Sequence, residues 1–235
     1  MPLKVENLSK SFGSHKVLDK ISFQVEDGKF LCVIGPSGCG KSTLLRILAG
    51  LESYSGVITG DNSRRLLVFQ EFDQLLPWKT VYGDIEFGLK LRNEKAYDEK
   101  MRDVIDLVGL SGFEEYYPHQ LSGGMKQRVA IARALVLEPP VLLMDEPFGS
   151  LDAQMRRKLQ GELIQIWEKL SMTVIFVTHN IRESITLADR IMVLNAKGKV
   201  KRVVEVNLSR PHNISSSKFT EIWEQLLSDL EVDKN

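Results

Sequence analysis

A chain of 235 residues that is 43% hydrophobic has enough apolar side chains to bury a core of domain size. Its 31 basic residues equal its 31 acidic residues, so no net charge attracts it to nucleic acid or to an anionic membrane, and we expect no nucleic-acid partner. No apolar run approaches the roughly 18 residues of a membrane span, and the N-terminus lacks the apolar centre of a signal peptide.

The chain opens with two segments, 3–8 and 17–25, in which apolar and polar residues alternate. The turn-forming stretch 13–15 separates them. Alternation with a period of two indicates strands with one buried face, and a turn between two such strands indicates a hairpin. We therefore predict an antiparallel sheet at the N-terminus.

Residues 35–43 match the phosphate-loop pattern G-x-x-x-x-G-K-[ST] at every fixed position. An apolar run at 30–34 precedes them and a helical pattern at 44–49 follows, which gives the strand, loop and helix that the motif requires. Glycines let the backbone approach an anion closely, and the amides at the helix start point toward that anion. A glycine-rich turn without a ligand is the alternative for this stretch taken alone.

This loop predicts binding of the phosphates of a nucleotide together with Mg²⁺. Lys41 is expected to reach the β- and γ-phosphates, and the Ser42 hydroxyl is a suitable ligand for Mg²⁺, which prefers oxygen donors. The predicted nucleotide contacts in the loop are Gly35, Pro36, Ser37, Gly38, Cys39, Gly40, Lys41, Ser42 and Thr43.

The two cysteines, Cys32 and Cys39, lie too close together in sequence for a structural disulfide. A chain without structural disulfides is typical of a reducing compartment.

The middle of the chain changes character. A short strand is predicted at 56–60, and a buried strand at 66–69 ends at Gln70. Over 81–137 no strand pattern appears, and apolar residues recur at helical spacing instead. We interpret residues 73–137 as an inserted α-helical unit.

A buried strand at 141–144 ends in two carboxylates, Asp145 and Glu146. Asp145 is expected to hold the Mg²⁺ shell through water or Ser42, and Glu146 to act as the general base on the attacking water. Two solvated carboxylates at a strand end are the alternative.

Beyond this strand, Asp152 can cap a helix, and further strands are predicted at 173–177, 190–194 and 200–206. The last helix has one apolar face, which favours packing on the protein's own core over binding a partner. That face consists of Phe219, Ile222, Trp223, Leu226, Leu227 and Leu230.

The stretch Leu121-Ser122-Gly123-Gly124 precedes a helical pattern at 124–137. Taken alone it is a helix N-cap with a flexible approach, and that helix would aim its amides at any nearby phosphate. In order along the chain, the phosphate loop, Gln70, this stretch, Asp145 with Glu146, residues 150–152 and His179 resemble the nucleotide-binding subunit of an ATP-binding cassette (ABC) transporter.

The resemblance implies an α/β fold: a phosphate-loop NTPase (RecA-like) core with an N-terminal antiparallel β subdomain and an inserted α-helical subdomain. It implies one ABC ATPase domain over 1–235, with the core at 1–72 and 138–235 and the helical insertion, which carries the signature motif, at 73–137.

The resemblance also assigns roles. Phe12 would stack on adenine, a core aromatic residue being the alternative. Gln70 would sense Mg²⁺ and the attacking water, and His179 would contact the γ-phosphate, a core histidine being the alternative. The signature residues Ser122, Gly123 and Gly124 would complete the site of a second copy in a head-to-tail dimer.

Within the family, residues 74–81 and 210–212 resemble importers of nitrate, sulfonates and taurine. This implies a transmembrane permease, an external solute-binding protein and work at the cytoplasmic face of the membrane. Trp78 would border the permease groove or, alternatively, fill the core of the helical insertion. Ala196-Lys197-Gly198 departs from the Pro-Gly turn common in that group, which leaves the solute open.

Three other functions stay open at this point. One is an ABC exporter or lipoprotein-release ATPase, and another is a soluble cassette ATPase acting on ribosomes or DNA. The third is a phosphate-loop kinase, which would not need residues 121–124.

Overall fold

The structure, a computed structural model, describes residues 2–60, 65–69, 75–149, 151–210, 212 and 216–231. Its strands are β1 Leu3–Phe12, β2 His15–Val25, β3 Phe30–Ile34, β4 Ser55–Thr59, β5 Arg65–Val68, β6 Val141–Asp145, β7 Thr173–Val177, β8 Arg190–Leu194 and β9 Val200–Glu205. Its α-helices are α1 Lys41–Leu48, α2 Val81–Leu91, α3 Asp98–Leu107, α4 Gly123–Leu135, α5 Ala153–Leu170, α6 Ile181–Leu187 and α7 Ser217–Glu231.

The N-terminal strands form a three-stranded antiparallel sheet in the order β2-β1-β4, which confirms the predicted β subdomain. Strand β1 runs to Phe12 and not to residue 8, because its pairing with β2 continues to Phe12 and His15. Register shifts after Val5 and Leu8, with Asn7 at a φ of 50°, interrupt the strict alternation that sequence reading relies on.

The second sheet has six strands in the order β5-β6-β7-β3-β8-β9 and is parallel except for β9. Strands β3, β6 and β7 are buried along their whole length, as their continuous apolar runs predict. Because parallel strands end at one edge, the phosphate loop after β3 lies beside the residues that follow β6 and β7. This edge positions the candidate site.

Helices α2, α3 and α4, with a short 3₁₀ turn at Pro118–Gln120, fill the middle of the chain. Among the described residues between 75 and 140 there is no strand, in agreement with the predicted helical character. Helix α4 begins at Gly123 and ends at Leu135, slightly earlier than the pattern indicated. The boundaries 73 and 137 of a separate helical subdomain stay a prediction.

Helix α7 packs on the protein itself. Phe219, Ile222 and Leu226 are buried against a core that α6 and β8 share. The interpretation that its apolar face belongs to the core is confirmed for these residues and for the partly buried Trp223 and Leu230, whereas Leu227 is 38% exposed. Within the ranges described above, no helix has the length and apolarity needed to cross a bilayer.

Candidate functional site

The phosphate loop joins β3 to α1 through backbone that only glycine adopts easily. Gly40 has a φ of 100°, and a Cβ on it would lie 2.6 Å from Leu18 Cδ2. Gly38 has a φ of 79° and faces open space. A loop that is tight on its inner side and open on its outer side can admit phosphate oxygens close to its amides.

Lys41 begins α1 and is folded back over this loop. Its Nζ donates hydrogen bonds to the carbonyl oxygens of Gly35 and Pro36, each at 2.9 Å, and the residue is only 6% exposed. Both partners are neutral carbonyl groups, so neither contact neutralises the positive charge of the ammonium group. It can therefore attract a phosphate group.

Ser42 and Asp145 meet beside the loop. Ser42 Oγ donates to Asp145 Oδ1 at 3.1 Å, and burial raises the pKa of the Asp145 carboxyl above its ordinary value. A hydroxyl and a carboxylate are hard oxygen donors that fit Mg²⁺. No set of three or more His, Cys, Asp or Glu side chains forms a metal site among the residues described, so an ion here would complete its shell with nucleotide oxygens and water.

Glu146 and His179 form the second pair at this edge. His179 Nδ1 lies 2.7 Å from Glu146 Oε2, and the two side chains are 63% and 18% exposed, respectively. Glu146 has a φ of 43°, a left-handed conformation that costs a non-glycine residue on the order of 1–3 kcal/mol. Such strain is often retained at functional sites. The carboxylate can accept a proton from water, and the imidazole can orient it.

Phe12 is 49% exposed at the end of β1, with Lys10 Nζ 4.6 Å from the centre of its ring. The alternative of a core aromatic residue is therefore wrong. The hairpin that carries Phe12 runs back along β2, where Val17 and Leu18 contact Gly40 of the phosphate loop. An exposed ring on this hairpin can stack on a flat base.

The signature residues lie on another element. Ser122 and Gly123 are exposed, and the Ser122 hydroxyl caps α4 by accepting from the amide of Met125 at 3.3 Å. Gly124 is buried, and a Cβ on it would lie 2.9 Å from Met155 Sδ on α5. Helix α4 packs on α2, α3 and β5, whereas α1 packs on β5, β6 and β7. The structure thus brings Lys41, Ser42, Asp145, Glu146 and His179 together, with Ser122 and Gly123 on a separate helix.

Some predicted residues need a different account. Gln70 and Ser150 lie outside the described residues. Cys39 is 2% exposed and its side chain packs in the core, so only its backbone can contribute to the loop's surface. Trp78 is 71% exposed, so the alternative in which it fills the core is wrong.

Sequence reading missed two buried polar residues next to the site. Gln160 on α5 and Glu183 on α6 are 7% and 5% exposed, and Gln160 Nε2 donates to Glu183 Oε1 at 2.8 Å. Burial raises the pKa of the Glu183 carboxyl, and hydrogen bonds from Thr178 and Gln160 oppose that shift. A polar residue between Leu159 and Leu163 on an apolar helix face was the available signal.

Comparison with known proteins identifies relatives over nearly the whole chain. A family model described as ABC transporter matches residues 18–149. The aliphatic sulfonates import ATP-binding protein SsuB of Bacillus thuringiensis subsp. konkukian is 46% identical over 244 residues, covering 98% of this chain and 96% of its own. The nitrate import ATP-binding protein NrtD of Synechocystis sp. is 44% identical over 88% of this chain and 84% of its own.

A solved structure matches as well. A dimeric ATP-binding cassette in a post-hydrolysis state, bound to ADP and Pi, is 30% identical and superposes with a TM-score of 0.76. The match covers 87% of this chain and 99% of that one.

Proposed function

The chain belongs to the ABC transporter family and is an ATP-hydrolysing ATP-binding subunit, and from that premise we propose that it powers uptake of a small anion through a separate membrane permease. The observation that carries the proposal is near-complete coverage, at 44–46% identity, by relatives named for import of sulfonates and nitrate. The solute is then a sulfonate such as taurine, nitrate, or a related small anion. An external solute-binding protein delivers it, and the subunit works at the cytoplasmic face.

In this proposal the phosphate loop binds ATP through its amides and Lys41, and Phe12 stacks on the base. Mg²⁺, when bound, would neutralise part of the negative charge of the phosphates. Ser42 and Asp145 would hold the ion, and Gln70, which lies outside the described residues, keeps its predicted role of sensing the metal and the attacking water. The geometry behind this assignment is the 3.1 Å contact between Ser42 and Asp145.

Glu146 then takes the proton from the water that attacks the γ-phosphate. His179 hydrogen-bonds to the Glu146 carboxylate across 2.7 Å and orients it. In the same proposal the imidazole would also contact the γ-phosphate of bound ATP. Catalysis of this kind depends mainly on positioning and electrostatic stabilisation, since the chain forms no covalent bond with the phosphoryl group.

A second copy completes the site. The exposed Ser122 and Gly123 lie at the start of α4, which packs on α2, α3 and β5, whereas the phosphate-loop helix α1 packs on β5, β6 and β7. A head-to-tail dimer would bring the amides of Ser122 and Gly123 to the partner's γ-phosphate. Symmetry makes two equivalent sites, because the same two surfaces are used twice.

The permease would dock at exposed aromatic side chains of the helical part. Trp78 precedes α2 in a segment fixed by two hydrogen bonds: Leu76 donates its amide to Asp84 Oδ2 at 2.6 Å, and Val81 donates to the Tyr116 carbonyl at 2.9 Å. Tyr116 and Tyr117 are 41% and 40% exposed. Aromatic residues are enriched at the centres of protein interfaces, so Trp78 is the candidate anchor.

We expect Trp78→Ala to leave basal ATPase activity and the unfolding temperature nearly unchanged, because the side chain is 71% exposed. Loss of an interface anchor typically costs about 2 kcal/mol or more, so permease affinity should fall more than about 10-fold. Copurification with the permease and permease-stimulated turnover measure the effect.

Leu51→Ala is the matched control, since Leu51 is 60% exposed but lies after α1, outside the helical part. An unchanged stimulated rate in Trp78→Ala, or an equal loss in Leu51→Ala, contradicts the docking assignment.

The solute class is tested separately by reconstituting the subunit with its permease and binding protein in liposomes. Stimulation of ATP hydrolysis by sulfonates or nitrate is expected, and stimulation only by cations or sugars contradicts the anion proposal.

A further inference from the structure

The first turns of α5 hold the loop that carries Glu146. Arg156 Nε donates to the Phe148 carbonyl at 3.3 Å, and Arg156 Nη2 donates to the Leu151 carbonyl at 2.9 Å. Phe148 lies two residues after Glu146, and Gly149 donates its amide to the Glu146 carbonyl at 3.0 Å. The Arg156 guanidinium thus holds the segment that follows the strained Glu146.

One helical turn further along, Gln160 holds the turn that carries His179, which comprises residues 178–183. Its amide donates to Glu183 Oε1, and the Thr178 hydroxyl donates to Glu183 Oε2. The same turn is closed by Asn180, whose backbone amide donates to Thr178 Oγ1 at 3.0 Å and whose Oδ1 accepts from the Glu183 amide at 3.2 Å. His179 therefore sits in a turn with satisfied polar groups on both sides.

The position of Gln160 is unusual for the helix that carries it. Its neighbours on the buried face of α5 are Leu159, Leu163, Ile166 and Trp167, and Gln160 is the one polar member of that buried set in a helix that the structure describes throughout. A leucine there would avoid the cost of burying an amide but would remove the donor to Glu183 Oε1. Buried polar networks that are fully satisfied fix geometry more than they add stability.

We propose that Arg156 and Gln160 are positioning residues that set the distance between Glu146 and His179, with α5 as the rigid element joining the two segments. Residues four apart on a helix are about 6 Å apart along its axis, so Arg156 and Gln160 are close together on one rigid element. A catalytic pair misplaced by even 1 Å loses rate, while nucleotide affinity, which depends on the phosphate loop, is retained. The inference rests on the roles proposed above for Glu146 and His179.

The test first removes the buried hydrogen bond between Gln160 and Glu183 and then restores it with the amide and the carboxylate exchanged. Gln160→Leu should lower kcat per nucleotide-binding site about 10-fold with the KM for ATP within about 2-fold. Gln160→Glu places two carboxylates face to face and should be at least as slow. Adding Glu183→Gln to Gln160→Glu restores one amide donor and one carboxylate acceptor, now exchanged between the two positions. The amide oxygen at position 183 can still accept from the Thr178 hydroxyl. This double variant should recover kcat to within about 3-fold of the unmodified chain.

Gln165→Leu is the control, since Gln165 is exposed on the same helix, and titration of bound nucleotide gives the active fraction of each preparation. Normal kcat per site in Gln160→Leu, or a double variant as slow as Gln160→Glu alone, overturns the proposal. If Gln160→Leu does not fold, the recovery in the double variant decides. Near-normal hydrolysis by Glu146→Gln would instead overturn the role of Glu146 itself, whatever the Gln160 variants do.

Discussion

Glu146→Gln is expected to bind ATP with nearly unchanged affinity and to hydrolyse it roughly 10²–10⁴-fold more slowly. The amide keeps the shape of the side chain and can still contact His179, but it cannot accept a proton from water. Single-turnover hydrolysis and equilibrium binding of a fluorescent ATP analogue separate the two effects.

The control is Glu168→Gln, an equivalent change at an exposed position on α5. It should behave like the unmodified chain in both assays. If Glu146→Gln hydrolyses ATP at a near-normal rate, Glu146 is not the base, and its contact with His179 has another purpose.

Because unhydrolysed ATP would bridge the two subunits, Glu146→Gln should run as a dimer with ATP and as a monomer with ADP. Adding Ser122→Arg should weaken that dimer more than about 100-fold, since a large cation buried without a partner at an interface costs about 3 kcal/mol or more. Nucleotide binding to each subunit should persist, because Ser122 is the N-cap of α4, whereas the phosphate loop precedes α1. Size-exclusion chromatography with light scattering measures the dimer.

Two controls separate the interface effect from loss of the helix cap. Ser122→Ala removes the hydroxyl that accepts from the Met125 amide, at a cost of about 1 kcal/mol to α4, without adding bulk. Ser111→Arg adds the same cation at another exposed serine of the helical part. A stable ATP-dependent dimer of the Ser122→Arg variant, or a monomeric Glu146→Gln at saturating ATP, contradicts completion of the site by a second copy.

The family and the elements of the fold followed from local sequence. The phosphate loop needs glycine at both fixed positions, because the backbone is left-handed at Gly40 and a Cβ on Gly35 would lie 2.6 Å from the Leu194 carbonyl oxygen. That requirement is visible in the residues themselves. Buried parallel strands are equally visible, since β6 and β7 have apolar residues on both faces. Ordered motifs at such strand ends were enough to identify an ABC ATPase.

Local sequence was less reliable where a residue's environment comes from distant parts of the chain. Phe12 and Trp78 each had a core alternative, because an aromatic residue on a strand or before a helix has the same pattern whether it faces the core or the solvent. Their exposure, 49% and 71%, required the whole fold. Cys39 shows the reverse case, a loop residue whose side chain turns inward.

The sequence by itself determined the family and the candidate residues for the chemistry, because phosphate binding and proton transfer require particular side chains at particular spacings. Only the tertiary structure decided how these residues are held. The 2.7 Å contact of Glu146 with His179 and the anchors at Arg156 and Gln160 join segments that are far apart in sequence. Such contacts leave no periodic pattern, since they arise only when parallel strands end at one edge and a helix packs beneath it.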